Sequence, residues 1–453
     1  MAQNREAWGS KFGFILAAAG SAVGLGNIWK FPYIAGENGG AAFIFVYLIC
    51  IGIIGFPVLI SEILIGRTTQ KNPVGAFAAL SGSKFWVSIG FLGVLAGFLI
   101  LSFYSVIGGW TIGYVIETLR GSLSNFHNPE EAGVLFGALS GSAVWTLGYH
   151  TLFFALTMLI VIKGVQGGIE RSSKIMMPVL LSILVILMFR GVTLEGADEG
   201  LAFLWVPDWA KINGQSILIA LGHAFFTLSL GMGAMMTYGS YMSKKDSVVS
   251  AAAQIVFLDT LIALMAGVAI FTAVFASGLD PAAGPGLIFQ TLPAVFASMT
   301  GGVYFSLLFF VLLAIAALTS AISLLEVVVA YFVDERGWNR KGAVLIFGGS
   351  IYLLGVPSAL SFNLMADVTI FGKTFFDVVD FIASNVLLPF GGLMIAIFAG
   401  WIWSRTSVMT AVKEGAEHFF EAYPWFEGVW FVFLRFVAPV LITLVLLNSL
   451  GLM

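Results

Sequence analysis

The chain has 453 residues, of which 59% are hydrophobic and 10% are charged, and its formal net charge at pH 7 is -3. A water-soluble globule could not cover so much apolar surface, so the composition excludes that class and indicates a polytopic membrane protein. The apolar runs reach about twenty residues without polar alternation, which predicts spanning helices and not the strands of a barrel. The single cysteine, Cys50, excludes an intrachain disulfide, and the polar start of the chain does not resemble a cleavable signal.

Eleven hydrophobic segments are candidate spans. They cover residues 12–35, 41–66, 86–119, 143–162, 174–190, 215–241, 248–275, 302–332, 342–356, 375–401 and 428–450. If the N-terminus is cytoplasmic, the outer loops contain few basic residues, namely Arg120, Arg190, Lys211 and Lys373. This asymmetry predicts a multi-pass protein whose C-terminus lies outside. Residues 278–302 are too apolar for a free loop and are expected to form a short helical hairpin over the outer side.

Two of these spans contain interruptions that an ordinary spanning helix would not have. The first contains GSAVGLGNIWKFP, from Gly20 to Pro32, and the sixth contains SLGMG, from Ser229 to Gly233. The two spans run in opposite directions, which predicts an inverted repeat whose halves each open with a broken helix. The expected organisation is one transmembrane domain over residues 1–453, with repeats at about 10–190 and 215–401 and an extra helix at 428–450.

A helix break at the middle of a bilayer frees backbone N–H and C=O groups that lipid cannot satisfy. Freed N–H groups at a helix N-terminus favour a carboxylate, and freed carbonyls favour sodium or an ammonium group. For one isolated Gly-x-Gly stretch, a packing surface between helices is the alternative. Two interruptions at repeat-related positions, one followed by Asn27, favour a site for a cation and a small zwitterion.

Several longer strings resemble the neurotransmitter:sodium symporter family. They are GSAVGLGNIWKFPY, ENGGAAF, SEILIGR, FFTLSLGMGAMMTYGSY and ALTSAISLLE, and the resemblance extends from Arg5 through the tenth span. The length and the short termini are similar to those of bacterial amino acid transporters in this family. The resemblance implies an all-α membrane protein with the leucine-transporter fold, located in the bacterial cytoplasmic membrane. It also implies a sodium-coupled symporter that works by alternating access, and not an enzyme.

The resemblance further implies two sodium sites, a substrate pocket and an inner gate. Intramembrane charges that need partners indicate an outer gate, and a glycine pair followed by a proline in the fifth span suggests a release hinge. The first sodium site would contain Ala22, Asn27, Thr227 and Asp259, and the second Gly20, Val23, Ala316, Thr319 and Ser320. The substrate would contact Ala22, Leu25, Gly26, Ile100, Tyr104, Phe226, Thr227, Ser229, Met232, Ser320 and Leu324. The outer gate would pair Lys30 with Asp380, and the inner gate would pair Arg5 with Asp334 beside Trp8 and Tyr241. Gly168 and Pro178 would allow local unwinding of the fifth span for sodium release, although a glycine-rich turn and a tolerated proline explain the pattern equally well.

The residues of the implied pocket indicate a class of substrate. Gly24 has no side chain where monoamine-transporting relatives have an aspartate, so the resemblance implies an α-amino acid. No charged side chain is expected in the lining, which favours a neutral hydrophobic amino acid. Met232 could repack around aliphatic and aromatic shapes. Another small zwitterion, such as a betaine or an imino acid, is the alternative cargo.

Asp259 departs from the family pattern, which has asparagine there and, in chloride-dependent animal members, a serine where this chain has Ala263. A buried carboxylate needs a cation or a proton. We therefore expect chloride-independent transport, with proton counter-transport through the same carboxylate as a further expectation. A structural acid bonded to neighbouring helices is the alternative.

Some polar residues have a structural interpretation. The hydroxyls of Thr319 and Ser320 could bond to their own helix. Glu62 and Glu326 are expected to bond to freed backbone groups, and His223 is expected to be a satisfied core residue. The four histidines are too scattered for metal ligation, which disfavours an intramembrane enzyme.

Overall fold

The computed structural model of the chain describes residues 6–124, 126, 128–281, 284 and 286–453. Most of these residues are helical. The strands β1 (Thr369–Ile370) and β2 (Lys373–Thr374) form an antiparallel hairpin with a two-residue turn. Several helices include π-helical turns. In chain order the helices are α1 (Lys11–Ala22), α2 (Gly26–Glu37), α3 (Ala41–Thr69), α4 (Pro73–Ser81), α5 (Lys84–Leu119), α6 (Pro129–Ser140), α7 (Ala143–Val161), α8 (Val165–Val192), α9 (Ala197–Trp205), α10 (Gly214–Thr227), α11 (Ala234–Gly239), α12 (Val248–Ala276), α13 (Leu287–Ser298), α14 (Gly302–Arg336), α15 (Arg340–Leu360), α16 (Phe375–Ile402), α17 (Arg405–Lys413), α18 (Glu417–Ala422) and α19 (Trp425–Ser449). A single 3₁₀ turn, Trp209–Lys211, precedes α10.

Within the described residues, nine helices are long and apolar enough to cross a membrane. A tenth span results if α1 and α2, which meet at an angle of 48°, are counted together. The expected sixth span is divided into α10, with 14 residues, and α11, with 6 residues. Each is shorter than the roughly 30 Å hydrocarbon layer. The all-helical class is confirmed, whereas length and hydropathy do not confirm the expected count of eleven.

The first expected break lies between α1 and α2. Ser10 caps the start of α1 by accepting a hydrogen bond from the Gly13 amide at 3.0 Å, which satisfies one of the free N–H groups of the first turn. The helix ends at Ala22 because Val23 leaves the helical region, with ψ at 95°. Helical structure resumes at Gly26 as a π-helical turn. The first span is therefore broken within the glycine-rich stretch.

The second expected break lies between α10 and α11. Three residues there have positive φ: Ser229 at 54°, Gly231 at 82° and Gly233 at 74°. Two of them are glycines, which adopt this conformation without the steric cost of a Cβ atom. At Gly231 a Cβ atom would also lie 2.2 Å from the Leu388 carbonyl oxygen of α16. Glycine is therefore required both by the backbone turn and by the close approach of α16.

The two breaks lie next to each other in the interior. The Ser229 hydroxyl donates to the Ser21 carbonyl at 2.8 Å, and the Ser21 hydroxyl donates to the Ser323 hydroxyl of α14 at 2.7 Å. All three side chains are buried. The fold therefore brings the ends of α1 and α10 together against α14. The inverted symmetry of the two halves and their boundaries stay predictions.

The segment between α12 and α14 differs from the expected helical hairpin. Between residues 278 and 302, where Ala282, Ala283 and Pro285 lie outside the described part, the structure contains the single helix α13. Its Phe289 ring stacks on Phe136 of α6, with centroids 5.6 Å apart. The expected second helix of a hairpin is wrong for the described residues, because α6 supplies the packing partner instead.

Candidate functional site

The first expected sodium site brings three of its side chains into direct contact. Asn27 Nδ2 donates to Asp259 Oδ1 at 2.8 Å and to its carbonyl oxygen at 3.1 Å. Thr227 Oγ1 lies 3.1 Å from the same Asp259 Oδ1. Asn27 and Asp259 are completely buried. α10 and α12 thus bring hydroxyl, carbonyl and carboxylate oxygens to one place, and the Asn27 amide oxygen of α2 accepts a hydrogen bond from the Gly24 amide at 3.2 Å. Oxygen ligands of this kind are the chemistry that a hard cation requires.

The residues of the second expected sodium site also lie together. Thr319 Oγ1 of α14 lies 3.4 Å from the Val23 carbonyl oxygen and 2.9 Å from that of Ala316. Ser320 Oγ lies 3.5 Å from the Gly20 carbonyl oxygen. The cluster contains oxygen atoms only and no carboxylate. Thr319 also bonds to its own helix, as the structural alternative expects, while both hydroxyls reach across to the broken end of α1.

A small cavity lies between the two breaks. Ten of the expected substrate contacts line it, namely Ala22, Leu25, Gly26, Ile100, Tyr104, Phe226, Ser229, Met232, Ser320 and Leu324. The eleventh, Thr227, faces Asp259 instead. The lining contains no charged side chain.

Polar groups lie at one end of this cavity. The Tyr104 hydroxyl accepts a hydrogen bond from the Leu25 amide at 3.3 Å. A Cβ atom at Gly24 would lie 2.4 Å from Ser320 Oγ and 2.9 Å from the Tyr104 hydroxyl. A side chain at position 24 would therefore fill the space beside these two hydroxyls.

Leu388 of α16 lines the cavity and is absent from the sequence-based set. The signal that could have indicated it is the Pro-Phe-Gly-Gly sequence that follows it. A Cβ atom at Gly391 would lie 2.2 Å from the Gly231 carbonyl oxygen. Because glycine often marks a close backbone approach, this stretch indicates that α16 packs on a break.

A second cavity lies beside the first, and Leu25, Tyr104 and Phe226 line both. These three side chains form a partition between the two spaces. Lys30 and Asp380 line the second cavity, as expected for an outer gate. Although both belong to the described part of the chain, they do not form the expected ion pair. Lys30 Nζ lies 4.4 Å from the centroid of the Phe226 ring, and Asp380 accepts a hydrogen bond from Ser384 at 2.7 Å.

On the opposite side, part of the expected inner gate can be located. Arg5 lies outside the described residues, and Asp334 accepts a hydrogen bond from Asn72 at 3.2 Å. Trp8 Nε1 donates to the Tyr238 carbonyl at 2.9 Å, and the Trp8 amide donates to the Tyr241 carbonyl at 3.1 Å. Trp8 therefore attaches the N-terminal segment to the end of α11.

The residues near Tyr241 also contain an ion network that was not expected from the sequence. Arg340 contacts Glu326, Glu6 at 3.2 Å and the Val161 carbonyl at 2.8 Å. The Tyr241 hydroxyl donates to Glu326 at 2.7 Å. The expectation that Glu326 bonds to backbone groups is wrong, since its partners are side chains. A buried glutamate needs a cation, and that requirement could have indicated Arg340 from the sequence.

Two other buried polar residues, Glu62 and His223, were expected to have structural roles. Glu62 accepts a hydrogen bond from the Gly231 amide at 2.7 Å, which agrees with a carboxylate that satisfies a freed backbone group. His223 packs between Phe31 and Tyr47, with centroids 5.9 Å and 5.3 Å away. Neither ring nitrogen of His223 has a hydrogen-bond partner among the described residues. His223 is thus a core residue, but the expectation that it is hydrogen-bonded is wrong.

The expected release hinge lies in a helix that is continuous in this structure. α8 begins at Val165 with a π-helical turn, earlier than the expected start at residue 174, and Pro178 lies inside it. At Gly168 a Cβ atom would lie 2.1 Å from the Ile160 carbonyl oxygen. Glu170 accepts hydrogen bonds from the Gly9 amide at 2.6 Å and from Lys174 at 2.6 Å. The N-terminal segment is therefore attached to the first turns of α8, and unwinding there stays a prediction.

An uncharged pocket between two broken membrane helices, next to two clusters of oxygen atoms, is the arrangement of a secondary transporter. The chain belongs to the sodium:neurotransmitter symporter family, whose family model matches residues 5–130 and 138–453. The family consists of sodium-dependent, membrane-spanning transporters, so the expected family and transporter class are confirmed.

Individual relatives match almost end to end. The chain is 44% identical to the sodium-dependent transporter YhdH of Bacillus subtilis (strain 168), over 98% of each chain. It is 37% identical to a sodium-dependent transporter of Haemophilus influenzae, over 99% of each. The crystal structure of MhsT in complex with L-phenylalanine matches with a TM-score of 0.89 and 48% identity, covering 98% of this chain and 100% of MhsT. The structural match confirms the expected leucine-transporter fold.

Proposed function

We propose that the protein imports neutral hydrophobic L-amino acids together with sodium, by alternating access. The observation that carries this proposal is the uncharged cavity between the two breaks, with hydroxyl and amide groups at one end. The similar structure of MhsT was solved with L-phenylalanine, which is a ligand of this class. Sodium dependence is a property of the family, whereas the choice of amino acid is the proposal.

The polar end of the cavity suits the backbone of an amino acid. The Tyr104 hydroxyl and the N–H groups near Leu25 and Gly26 would bind the substrate carboxylate, because freed N–H groups favour an anion. Carbonyl oxygens of Ala22, Phe226 and Thr227 would accept hydrogen bonds from the ammonium group. The absence of a side chain at Gly24 leaves room for that carboxylate, as the short distances from a Cβ atom there indicate.

The rest of the cavity would receive the amino acid side chain. Ile100, Met232 and Leu324 provide apolar contacts, and a charged side chain would be buried there without a counter-ion. The flexible Met232 supports a range from branched aliphatic to aromatic side chains. A betaine or an imino acid would occupy the same polar end and is separated from this proposal by competition.

Two sodium ions would accompany each substrate. The first would bind Asn27, Thr227, Asp259 and the Ala22 carbonyl, together with the substrate carboxylate. The second would bind hydroxyls of Thr319 and Ser320 with carbonyls of Gly20, Val23 and Ala316. Because the second site has no carboxylate, it would hold its ion less tightly and release it first.

Asp259 would supply the negative charge that makes chloride unnecessary. It is completely buried and its visible partners are the neutral side chains of Asn27 and Thr227. A bound sodium ion would compensate the carboxylate. When the site empties, a proton could take the place of sodium, which would give proton counter-transport.

The gates would alternate around this site. Tyr104 and Phe226 would close over the substrate, and Lys30 would leave the Phe226 ring to pair with Asp380. On the inner side, the attachment of Trp8 beneath α11 would be released, along with the Arg5–Asp334 pair that the family resemblance implies. Unwinding of α8 between Gly168 and Pro178 would then give water access to the second sodium site.

Uptake into proteoliposomes tests the proposal. Radiolabelled L-phenylalanine should accumulate under an inward sodium gradient and should be displaced by leucine, isoleucine and tryptophan, but not by lysine, glutamate, betaine or proline. Uptake that persists when potassium replaces sodium on both sides would contradict sodium coupling. Displacement by betaine or proline alone would favour the alternative cargo.

A further inference from the structure

A cluster of cations lies where α16, α17 and α19 meet, away from the transport pathway. We propose that this cluster binds the phosphate of an anionic phospholipid from the leaflet on the same side as the N-terminus. Its members are Arg405 and Lys413 at the two ends of α17 and Arg435 within α19.

Arg435 is the member that most requires an external partner. It belongs to a membrane-spanning helix, roughly 15 Å along the axis from Trp425 at the start of that helix. Its guanidinium carbon lies 4.1 Å from the centroid of the Trp401 ring and 5.8 Å from that of Phe431. Within the part of the chain that the structure describes, Arg435 forms no ion pair, and its Nε atom is buried without a hydrogen-bond partner. A cation at this depth is costly unless an anion or the membrane interface is within reach of its side chain.

Arg405 brings a second positive charge to the same place. Its guanidinium carbon lies 5.0 Å from the Phe431 ring, which Arg435 also approaches. Glu427 pairs with Lys413 at 2.7 Å and with Arg405 at 3.9 Å. One carboxylate therefore pairs with two cations, and together with Arg435, which is unpaired among the described residues, the cluster has a net positive charge. The Arg405 side chain is still 60% exposed and can bind an anion from outside.

The cleft between α17 and the start of α19 has room for a phosphate. It is an open cleft lined by Arg405, Lys413 and Glu427 together with Thr406 and Thr410. Arg435 does not line it and adjoins it through the Phe431 ring, which Arg405 also contacts. The threonine hydroxyls add hydrogen-bond donors to the two cations. Basic clefts at helix ends on the cytoplasmic side are known to suit lipid headgroups.

An apolar track beside the cleft favours a lipid over a soluble phosphate compound. Val432, Phe436 and Val440 lie on one face of α19 at helical spacing, and they are 51%, 52% and 60% exposed. Trp401 of α16 is 51% exposed and packs on Phe436, with centroids 5.5 Å apart. Acyl chains could lie along this face while the headgroup occupies the cleft.

The cluster lies on the side of the membrane that the basic loops define. Arg67, at the end of α3, donates hydrogen bonds to the carbonyls of Asp246 at 2.7 Å and Glu414 at 2.8 Å. These contacts join the segment after α17 to the connections after α3 and α11. All three connections belong to the side where lysine and arginine accumulate, which is the cytoplasmic side by the positive-inside rule. Anionic lipids of that leaflet are the expected ligands.

Native mass spectrometry of the full-length protein tests the site. The detergent-purified protein is mixed with phosphatidylglycerol, with phosphatidylethanolamine or with inorganic phosphate. Wild type should retain phosphatidylglycerol in preference to phosphatidylethanolamine. Arg405→Gln should weaken retention about fivefold, and the double variant Arg405→Gln/Arg435→Gln about twenty-five-fold, since each cation near the headgroup contributes a similar amount. Lys84→Gln removes an exposed cation at the start of α5, on the same side, and should leave retention unchanged.

The possible results separate the explanations. Equal retention by the double variant and by Lys84→Gln would overturn the proposal, and so would equal retention of the two lipids by wild type. Displacement of the lipid by millimolar inorganic phosphate would show that the cleft binds a soluble anion, which also contradicts the lipid assignment. Arg405→Gln alone changes an exposed residue outside the spans, so it tests the site even if the double variant does not fold. None of these readouts depends on transport.

Discussion

Gly24 shows how the absence of one side chain shapes the space between the helix breaks. A Cβ atom there would lie 2.4 Å from Ser320 Oγ and 2.9 Å from the Tyr104 hydroxyl. Gly24→Ala should displace both hydroxyls and weaken L-phenylalanine binding at least about tenfold, the cost of a lost hydrogen bond to a charged group. Equilibrium binding to purified protein measures the effect. Gly52→Ala is the matched control, because nothing lies within 4 Å of an added Cβ atom; equal weakening in both variants would contradict the prediction.

Substitution of Asp259 tests whether its negative charge contributes to sodium binding at the first site. Asp259→Asn keeps an oxygen for the hydrogen bond from Asn27 at 2.8 Å but removes the negative charge. Because that charge would compensate sodium, the sodium concentration for half-maximal substrate binding should rise roughly tenfold or more. A sodium titration of binding is the measurement, with the exposed Asp367→Asn as control. An unchanged sodium dependence would support the structural-acid alternative.

The sequence predicted much of the cavity lining because the family resemblance relates single positions on the unbroken helices α5 and α14 to the pocket, in addition to those at the breaks. Ile100, Tyr104 and Leu324 line the cavity as expected. Leu388 and the contacts of Lys30 were not predictable in this way, since they depend on how separate helices pack.

At the scale of single helices, substitution of Pro178 is the clearest test of whether α8 unwinds locally. Proline has no N–H, so one backbone bond of α8 is missing and local unwinding costs less. Pro178→Ala should slow sodium release and lower the uptake rate several-fold while equilibrium substrate binding stays unchanged. Comparison of the transport rate with binding affinity checks this. Pro357→Ala, in the interior of α15, should affect neither quantity; a similar loss of rate there would remove the special role of α8.

The spanning helices were predictable as elements because each is an uninterrupted apolar run. α3, for example, begins at Ala41 as expected and ends at Thr69, a few residues beyond the expected end. The short helices α6 and α13 were not predicted individually, since each has 12 residues and is too short to give the length signal of a span. The two helices pack on each other through the stacked rings of Phe136 and Phe289.

For the whole molecule, the proposed coupling to two sodium ions predicts that transport moves net positive charge inward. Each charge that crosses contributes about 2.3 kcal/mol per 100 mV. In proteoliposomes with equal sodium on both sides, an inside-negative potassium diffusion potential should therefore drive accumulation of L-phenylalanine. Replacing chloride by gluconate should not change this accumulation. Lack of response to the potential, or a requirement for chloride, would contradict the proposed charge balance.

The partition formed by Leu25, Tyr104 and Phe226 also sets an upper limit on cargo size. These side chains line both the first and the second cavity. An amino acid too large for the first cavity would therefore keep the partition from closing. Such a compound would occupy the protein without being carried, and it would act as a competitive blocker. Lengthening an amino acid atom by atom should thus convert a cargo into an inhibitor at one definable step.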